Sequence, residues 1–465
     1  MTPAELLDGL PEPVPVTAAE VAGAVAGGPR LVVLDDDPTG TQSVAGTPVL
    51  TSWELDDLRW AFRRKESAFF ILTNTRSLSA ADAAARDREV ATAVAEAART
   101  EDVDYVLASR SDSTLRGHYP LETDVLAEEE ARRGRPVDGV VIVPAYLQAG
   151  RLTVNSVHWM ATADGLLPVG QSEFARDATF GYRSSDLREW VAEKTGGRIP
   201  AARVLAITCR DLREGGPERV AALLGELRDG RPAVVDAVAE EDLRVLALAL
   251  VRAEAAGRRF LYRVGPSFVR ARAGQAEHGP LGSAGPGGHG LVAVGSHVGL
   301  TTRQLAGLRE LGGGTEFELD VPALLARKSR DALVAEVAAS AAEALTRGDV
   351  VIHTSRALVT ADDPDASLAI ARTVSAALVE TVAATVRARR PAWLVAKGGI
   401  TSSDIATGGL GIRRAIARGT LLPGIVSLWE PVGGPFAGTP YVVFAGNVGG
   451  DGSLAEVVTK LRRRM

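Results

Sequence analysis

Three consecutive carboxylates follow a short apolar run near the start of the chain. In LVVLDDDPTGTQ, Asp35, Asp36 and Asp37 come directly after the run and lead into a Pro-Thr-Gly turn. A capped turn needs only one carboxylate, and three adjacent ones repel one another. We therefore interpret Asp36 and Asp37 as the catalytic candidates, acting as a general base, as a binder of a substrate hydroxyl or as a Mg²⁺ ligand. The sequence does not choose between the two aspartates, and it leaves the metal ligands unknown.

Arginines and hydroxyl groups follow the next apolar runs. Two guanidinium groups among hydroxyls suit bidentate recognition of a carboxylate or phosphate together with sugar hydroxyls, although an Arg–Asp pair that closes a charged loop would have the same composition. A lone histidine beside a tryptophan, such as His158, is more often a packed, hydrogen-bonded side chain than a catalyst. The plain interpretation of Arg176 and Asp177 is an ion pair on the protein surface. The substrate-binding candidates are Arg110, Asp112, Ser113, Thr114, Arg116, Arg151, Asn155 and Asp177.

Glycines follow three apolar runs in the second half of the chain. A glycine turn between a strand and a helix directs backbone N–H groups and the positive end of the helix dipole at a phosphate, although a plain strand-turn-helix corner looks much the same. Three such junctions favour a nucleotide site more than any one does. Lys397 fits a surface lysine and a phosphate-facing one equally well. The residues at these junctions are Ser296, Lys397, Gly398, Gly399, Thr401, Gly446 and Gly449.

These residues need a scaffold that brings strand ends together. Short runs rich in Val, Ile and Leu alternate with helical segments, which predicts parallel sheets covered by helices, an α/β fold. A serine cap at Ser79 precedes the clearest helix, which we expect to end near Arg99. The predicted strands are Leu31–Leu34, Ala68–Leu72, Tyr105–Ala108, Val140–Val143, Val204–Ile207, Ala233–Val235, Phe260–Tyr262, Leu291–Val294, Val350–Ile352, Trp393–Val395, Ile425–Leu428 and Tyr441–Phe444.

The chain of 465 residues exceeds the usual size of one domain. The segment 278–290, HGPLGSAGPGGHG, is too rich in glycine and proline to hold an element and suits a linker or a mobile loop. We therefore expect a substrate-binding domain at 1–277, a linker at 278–290 and a nucleotide-binding domain at 291–465. Each domain is expected to be Rossmann-like, with the active site in the cleft between them.

Composition excludes several classes of protein. The net charge of −6 is spread along the chain without a basic block, which argues against a nucleic-acid binder. No secretory signal or membrane-spanning run is recognised, so we expect a cytoplasmic protein. The single cysteine, Cys209, cannot form an internal disulfide and is expected to be buried. Phosphate-loop, nucleophile-elbow and HExxH motifs are missing from the sequence.

Taken in order, these motifs resemble the four-carbon acid sugar kinase family over nearly the whole chain. The resemblance rests on DDDPTG (35–40), SDSTLRG (111–117), AGRLTVN (149–155), EFARD (173–177), VGSHVGLTTRQ (294–304), KGGITSSD (397–404) and AGNVGG (445–450). It implies an N-terminal acid-sugar domain, a C-terminal nucleotide domain and phosphorylation of a terminal hydroxyl of threonate, erythronate or 3-oxo-tetronate. ATP and Mg²⁺ are the implied cofactors.

The resemblance also implies residue roles. Ile400 would join the glycines and hydroxyls of the ATP site. The residues that would contact the acid sugar are Asp36, Asp37, Arg110, Asp112, Ser113, Thr114 and Arg116. We expect the glycine-rich linker to let the domains close over both ligands. The alternatives are a kinase for a branched or 3-oxo acid, an NAD-dependent oxidoreductase, which the missing dinucleotide motif disfavours, and a sensor that binds without turnover. The exact acid, its stereochemistry and the oligomeric state, a homo-oligomer included, stay open.

Overall fold

The computed structural model describes residues 2–326, 329–357, 359 and 363–463. The chain divides into two compact units, the N-terminal unit Met1–Glu277 and the C-terminal unit His278–Met465. Both are built from helices and mostly parallel strands. The predicted two-domain α/β fold is therefore confirmed.

The N-terminal unit contains one parallel sheet. Its strand order is β2-β3-β1-β4-β11-β5-β10-β9, and a separate antiparallel sheet is formed by β6-β7-β8. The strands are β1 Arg30–Asp35, β2 Thr47–Leu50, β3 Ala68–Leu72, β4 Tyr105–Arg110, β5 Gly139–Val143, β6 Arg151–Val154, β7 Val157–Thr162, β8 Gly165–Pro168, β9 Leu205–Ile207, β10 Arg231–Val235 and β11 Phe260–Val264. The helices are α1 Pro3–Leu7, α2 Ala18–Val25, α3 Leu55–Phe62, α4 Ala80–Glu101, α5 Leu121–Arg132, α6 Leu187–Lys194, α7 Cys209–Arg213, α8 Gly216–Gly225, α9 Glu240–Ala255 and α10 Pro266–Arg272.

The C-terminal unit contains a mixed sheet. Its strand order is β13-β14-β12-β15-β18-β17-β16, in which the first five are parallel and β17 runs antiparallel to both neighbours. The strands are β12 Leu291–Val294, β13 Thr315–Leu319, β14 Val350–Thr354, β15 Leu394–Lys397, β16 Arg414–Leu422, β17 Val426–Pro431 and β18 Tyr441–Phe444. The helices are α11 Gly299–Glu310, α12 Val321–Leu325, α13 Arg330–Ala344, α14 Pro364–Ala388, α15 Gly399–Asp404 and α16 Ser453–Arg462.

Helix α4 shows how local sequence and packing act together. The Ser79 hydroxyl accepts the N–H of Asp82 at 3.2 Å, as the predicted cap requires. Val90 and Val94 are completely buried on the face that packs into the core of the N-terminal unit. The helix runs two residues beyond the predicted Arg99, to Glu101. The cap and the apolar face therefore fix the helix that covers β1 and β3.

The segment 278–290 is attached to the C-terminal unit. Leu281 donates its N–H to Thr420 O at 2.8 Å, and Ala284 donates to Lys460 O at 3.1 Å. Ala284 is fully buried in the core of that unit. The segment from Leu281 onward therefore packs as part of the C-terminal unit.

Within the described part of the chain, one helical segment, Ala369–Ala388 of α14, is long and apolar enough to cross a membrane, judged only by length and composition. Val374, Leu378 and Val382 of this segment are buried. The helix packs against α12 and α13, as a core helix does. This segment is therefore weak evidence for a membrane span.

Candidate functional site

Three neighbouring strands of the N-terminal unit end level with one another. Asp35 ends β1 and lies opposite Leu72 of β3 on one side and Arg110 of β4 on the other. Arg110 donates to Asp35 Oδ1 at 2.9 Å, and both side chains are buried. Because parallel strands bring their carboxyl ends to one edge, the aspartate triplet and the segment after β4 lie together, as the sequence predicts.

Arg76, which sequence reasoning missed, joins the two catalytic candidates. Its guanidinium donates to both oxygens of Asp36, at 3.0 and 2.5 Å, and to Asp37 Oδ2 at 3.1 Å. It lies four residues after β3, in LTNTRS. An arginine just after a predicted strand was the available signal, but this turn lacks the glycines and repeated charges that marked the others. Arg76 therefore holds Asp36 and Asp37 in one geometry.

The three neighbouring aspartates differ in their pKa values. Burial raises the pKa of Asp35 to about 7 and that of Asp36 to about 6, against the opposing effects of Arg110 and Arg76. Burial alone would also raise the pKa of Asp37, but Arg76 and Arg110 outweigh it and keep that pKa below its usual value. The Asp37 side chain is 27% exposed and that of Asp36 only 2%. Asp37 is therefore the ionised and accessible carboxylate of the triplet.

The segment after β4 forms a second charged cluster. Asp112 accepts hydrogen bonds from the Thr114 hydroxyl and, at 2.8 Å, from Arg116 Nε. Burial opposes ionisation of Asp112, but Arg76 and Arg116 outweigh it and hold its pKa well below the usual range. Arg116 also reaches Asp177 at 3.6 Å. The structure therefore pairs Asp177 with Arg116 instead of Arg176, and a contact between Asp177 and the substrate stays a prediction.

Two buried side chains hold the segment after β4 in place. The carbonyl of Ser113 lies 2.8 Å from Nε2 of His158, whose Nδ1 lies 2.9 Å from the Thr153 hydroxyl. His158 is completely buried, and burial lowers its pKa to about 4. His158 is therefore the packed side chain that the sequence favoured, and it ties β7 to the segment after β4. Tyr182 holds the same segment by donating to the Thr114 carbonyl at 2.6 Å.

Arg151 differs from the other arginines near this edge. Arg76, Arg110 and Arg116 each bind carboxylates, whereas among the residues that the structure describes no carboxylate pairs with Arg151. Its Nη1 donates to the Ala149 carbonyl, and its Nε is buried without a partner. Burial lowers its pKa, and the charge of Asp112 acts in the opposite direction. Its guanidinium is therefore available to an anion.

Asn155 is the predicted substrate residue that the structure does not join to the charged clusters. It occupies the turn between β6 and β7 with a φ of 50°, and its N–H is bound by Asp236 Oδ2 at 2.8 Å. Asp236 also accepts the N–H groups of Ser156 and Cys209. Cys209 is buried, as expected, and burial raises the pKa of its thiol. A contact between Asn155 and the substrate stays a prediction.

Because several carboxylates of the N-terminal unit have raised pKa values, we expect its stability to fall as the pH rises. Burial raises the pKa of Asp35 from 3.8 to about 7 and that of Asp36 from 3.8 to about 6, and Asp87 and Asp236 shift in the same direction. Between these limits the folded chain binds more protons at these four carboxyl groups than the unfolded chain does. The buried His158 acts in the opposite direction, but it is one group against four, so the free energy of unfolding decreases with pH. Thermal unfolding of the ligand-free protein between about pH 5 and 8 measures this slope.

The matched variants for this prediction are Asp35→Asn and Asp37→Asn. The first removes a carboxyl group that titrates within the window, so the decline of Tm with pH should become shallower. The second removes one whose own pKa is already low and whose charge only adds to the raised pKa of Asp35, so the slope should change less than in the Asp35→Asn variant. An equal slope in the Asp35→Asn variant would show that this burial does not govern the pH dependence.

In the C-terminal unit the glycine junctions converge around Ser296. A Cβ at Gly446 would lie 2.5 Å from Ser296 Oγ, and a Cβ at Gly398 would lie 3.4 Å from Ser296 N and 2.8 Å from Thr401 Oγ1. Gly398 also has a φ of 127°, which other residues rarely adopt. The hydroxyl oxygens of Thr301 and Ser296 lie 3.1 Å apart, within hydrogen-bond distance. The strand ends after β12, β15 and β18 therefore lie against one another, and the glycines leave room there for the side chains of Ser296 and Thr401.

Three more predicted residues of this edge, Gly399, Ile400 and Gly449, are accessible or lie at its periphery. Ile400 is 65% exposed and Val298 44% exposed, an unusual state for large apolar side chains. Gly449 lies farther along the loop, beside Ser453 and Gln304, and Gln304 donates to the carbonyls of its neighbours. Gly399 has open space on its Cβ side. The exposed apolar side chains beside the glycines suit the flat face of a nucleotide base.

Lys397 lies inside the unit. Its side chain is completely buried, and its ammonium donates to the carbonyl of Ala445 at 2.6 Å and lies 3.8 Å from the centre of the Phe444 ring. Burial lowers its pKa to about 7. The interpretation of Lys397 as a surface lysine is wrong, and its direct contact with a phosphate stays a prediction.

Metal ligands cannot be assigned from a cluster of side chains. In the described part of the chain, no group of three or more His, Cys, Asp or Glu side chains is arranged to hold a metal ion. Mg²⁺ commonly binds through one or two carboxylates together with substrate phosphates. The partly exposed carboxylate of Asp37, whose oxygens accept from Thr39 and Arg76, fits that limited role.

Other cavities lie away from these edges. One cavity is lined by Pro29, Tyr105 and Arg135, which places it where β1 and β4 begin. Arg135 is already paired there with Asp104 and Glu130. Since ligands of parallel sheets bind beyond the carboxyl ends of the strands, we do not place the substrate in this cavity.

Comparison with protein families matches the two units to two different domain families. Residues 31–272 match the sugar-binding N-terminal domain, and residues 291–454 match the nucleotide-binding C-terminal domain. These two matches define a chain with a sugar-binding N-terminal domain and a nucleotide-binding C-terminal domain. The chain belongs to the four-carbon acid sugar kinase family. A comparison with curated proteins found no match.

Solved structures share the fold. A Salmonella typhimurium LT2 protein, whose name carries a provisional assignment as a tRNA synthase, is 19% identical, with a TM-score of 0.68 over 93% of this chain and 99% of its own. A Haemophilus influenzae protein of the DUF1537 family is also 19% identical, with a TM-score of 0.65 over 92% of this chain and 99% of its own. At this identity the likeness shows the architecture alone.

Proposed function

We propose that the chain is an ATP-dependent kinase that phosphorylates a terminal hydroxyl of a small acid sugar of the threonate, erythronate or 3-oxo-tetronate type. The observation that carries the proposal is an accessible, ionised carboxylate, Asp37, at the end of β1, together with an arginine without a carboxylate partner, Arg151, whose pKa is influenced by the charge of Asp112 in the segment after β4. A hydroxyl to be activated and an anion to be held are the two functional groups of such an acid. Family membership supports the nucleotide half of the proposal.

In the N-terminal unit, Arg151 would bind the substrate carboxylate, with Arg116 and the hydroxyls of the same segment contributing. Asp37 would accept a hydrogen bond from the terminal hydroxyl and take its proton as the oxygen attacks the γ-phosphorus. Asp36 and Asp35 would keep Arg76 and Arg110 in place. Since the protein forms no covalent bond to the phosphoryl group, positioning and charge stabilisation would supply most of the rate.

In the C-terminal unit, the backbone around Ser296, Gly398 and Gly446 would hold the phosphates, and Val298 and Ile400 would contact the base. The bond between the γ-phosphorus and the bridging oxygen breaks, and ADP leaves. Mg²⁺ bound to the phosphates would offset their charge during transfer. An enzyme of this type depends on a supply of ATP, which agrees with the expected cytoplasmic location.

Titration calorimetry with each ligand alone tests whether the two units bind as proposed. We expect ATP and a four-carbon acid each to bind, and acid-dependent ADP release to follow when both are present. A sensor would bind both ligands without releasing ADP. Failure of the wild-type protein to bind ATP would contradict the proposal.

Gly446→Ala is expected to weaken ATP binding by about tenfold or more, because a methyl group would displace Ser296 from the nucleotide edge. Binding of the acid should not change. The matched control is Gly450→Ala, since a Cβ at Gly450 meets nothing within 4 Å. Equal ATP affinities of the two variants, measured by calorimetry, would remove Gly446 from the proposed site.

A further inference from the structure

The buried ammonium of Lys397 has no counter-ion in the described part of the C-terminal unit. Besides Ala445 O at 2.6 Å, it reaches Gly446 O at 3.4 Å and the face of Phe444. Burying a cation without a carboxylate is costly, and carbonyl dipoles and an aromatic face compensate only in part. Its position at the end of β15, beside the loop that follows β18, therefore calls for a functional explanation.

Lys397 sets the direction of two successive peptide groups. In a planar trans peptide the C=O and the following N–H point in opposite directions. Since the carbonyls of Ala445 and Gly446 face Lys397, the N–H groups of Gly446 and Asn447 face away from it. Thr301 reinforces the second carbonyl by donating to Gly446 O at 3.0 Å.

Those two N–H groups are free to bind a ligand. Within the described residues, neither Gly446 N–H nor Asn447 N–H donates to a protein acceptor. Gly446 is half-buried against Ser296, whereas Asn447 is exposed. Successive N–H groups on one side of the chain form a concave anion site, a nest.

We propose that Lys397 is a positioning residue for the nucleotide phosphates: it fixes the carbonyls of Ala445 and Gly446 and thereby directs the N–H groups of Gly446 and Asn447 at a phosphate. The inference rests on the proposed function and deepens it. Lys397 acts through the backbone, and its charge behind the two peptide groups favours an anion in front of them.

The test compares ligands that differ in phosphate content. Lys397→Met keeps the length of the side chain but removes the donor and the charge. We expect it to weaken ATP binding by about 10- to 100-fold, the effect of losing a charge-assisted arrangement, and adenosine binding by less than about threefold. The ratio of the ATP and adenosine affinities, measured by calorimetry, is the readout, because general damage to the unit would weaken both ligands alike.

Lys460→Met is the matched control. Lys460 also donates to a backbone carbonyl of this unit, Leu421 O at 2.6 Å, but lies on α16. Its replacement should leave the ratio unchanged. A Lys397→Met protein with the wild-type ratio would overturn the inference while leaving the kinase proposal standing, whereas a wild-type protein that binds ATP no better than adenosine would refute the phosphate site itself.

A measurement on the unchanged protein covers the case in which Lys397→Met does not fold. Amide resonances of Gly446 and Asn447 should shift strongly when ATP is added and stay nearly unchanged with adenosine, because only the phosphates would accept from these N–H groups. Amide shifts of equal size with both ligands, or none with ATP, would contradict the proposed geometry.

Discussion

Replacing Asp37 with asparagine is expected to lower kcat by about 10²- to 10⁴-fold, the usual contribution of a positioned acid or base. The amide cannot take the proton of the substrate hydroxyl, and its NH₂ group would face the Arg76 guanidinium that now donates to Asp37 at 3.1 Å. Steady-state assays of ADP release, with KM determined for both substrates, measure the effect. The loss should lie in kcat, because the carboxylate of the substrate would be held elsewhere.

Asp35→Asn is the control for this experiment. Asp35 lies two residues before Asp37 in the sequence. Its side chain is buried and bound to Arg110, so it cannot contact the substrate. We expect a loss in kcat of less than about tenfold, a conformational effect rather than loss of the acceptor. If Asp37→Asn kept turnover within about threefold of the unchanged protein, Asp37 would not be the base, and Asp36 would become the remaining candidate.

Arg151→Gln is expected to raise the KM for the acid sugar by about 30-fold or more, as truncation of one partner in a buried charged contact does. The discriminating measurement compares a four-carbon acid with the corresponding uncharged polyol. The unchanged protein should strongly prefer the acid, whereas the variant should lose most of that preference, since only the carboxylate would contact Arg151.

Arg176→Gln provides the matched control, because Arg176 is exposed in the same unit and pairs with no carboxylate that the structure describes. Its kinetic constants should stay unchanged. A preference for the acid that survives in Arg151→Gln would assign carboxylate recognition to a different residue, with Arg116 the next candidate.

Much of the fold follows from the pattern of apolar runs. Continuous runs such as Leu31–Leu34 predict buried parallel strands because such strands are covered on both faces, and the structure extends this one only to Arg30–Asp35. The short strands β6, β7 and β8 were missed. Their hairpin is fixed by contacts distant in sequence, among them the His158 bond to Ser113 and the Asp236 carboxylate that binds the turn.

The site was predictable only where charge or glycine follows a strand. Asp36, Asp37 and Arg110 were found in this way, whereas Arg76 follows its strand in a turn with no other unusual feature. The direction of a side chain is a tertiary property. The sequence therefore could not show that Lys397 points into the core, nor that Arg151 alone among the arginines discussed at this edge lacks a carboxylate partner.

The most direct test of the central claim is to follow the γ-phosphoryl group itself. ATP labelled at the γ-phosphorus is incubated with the protein, Mg²⁺ and a panel of four-carbon and branched sugar acids, and the products are resolved by phosphorus NMR and mass spectrometry. The account predicts that the label appears as a phosphate ester on the terminal hydroxyl of at least one acid, and that Asp37→Asn nearly abolishes this product. Binding of ATP and acids with no labelled ester from any of them would contradict it.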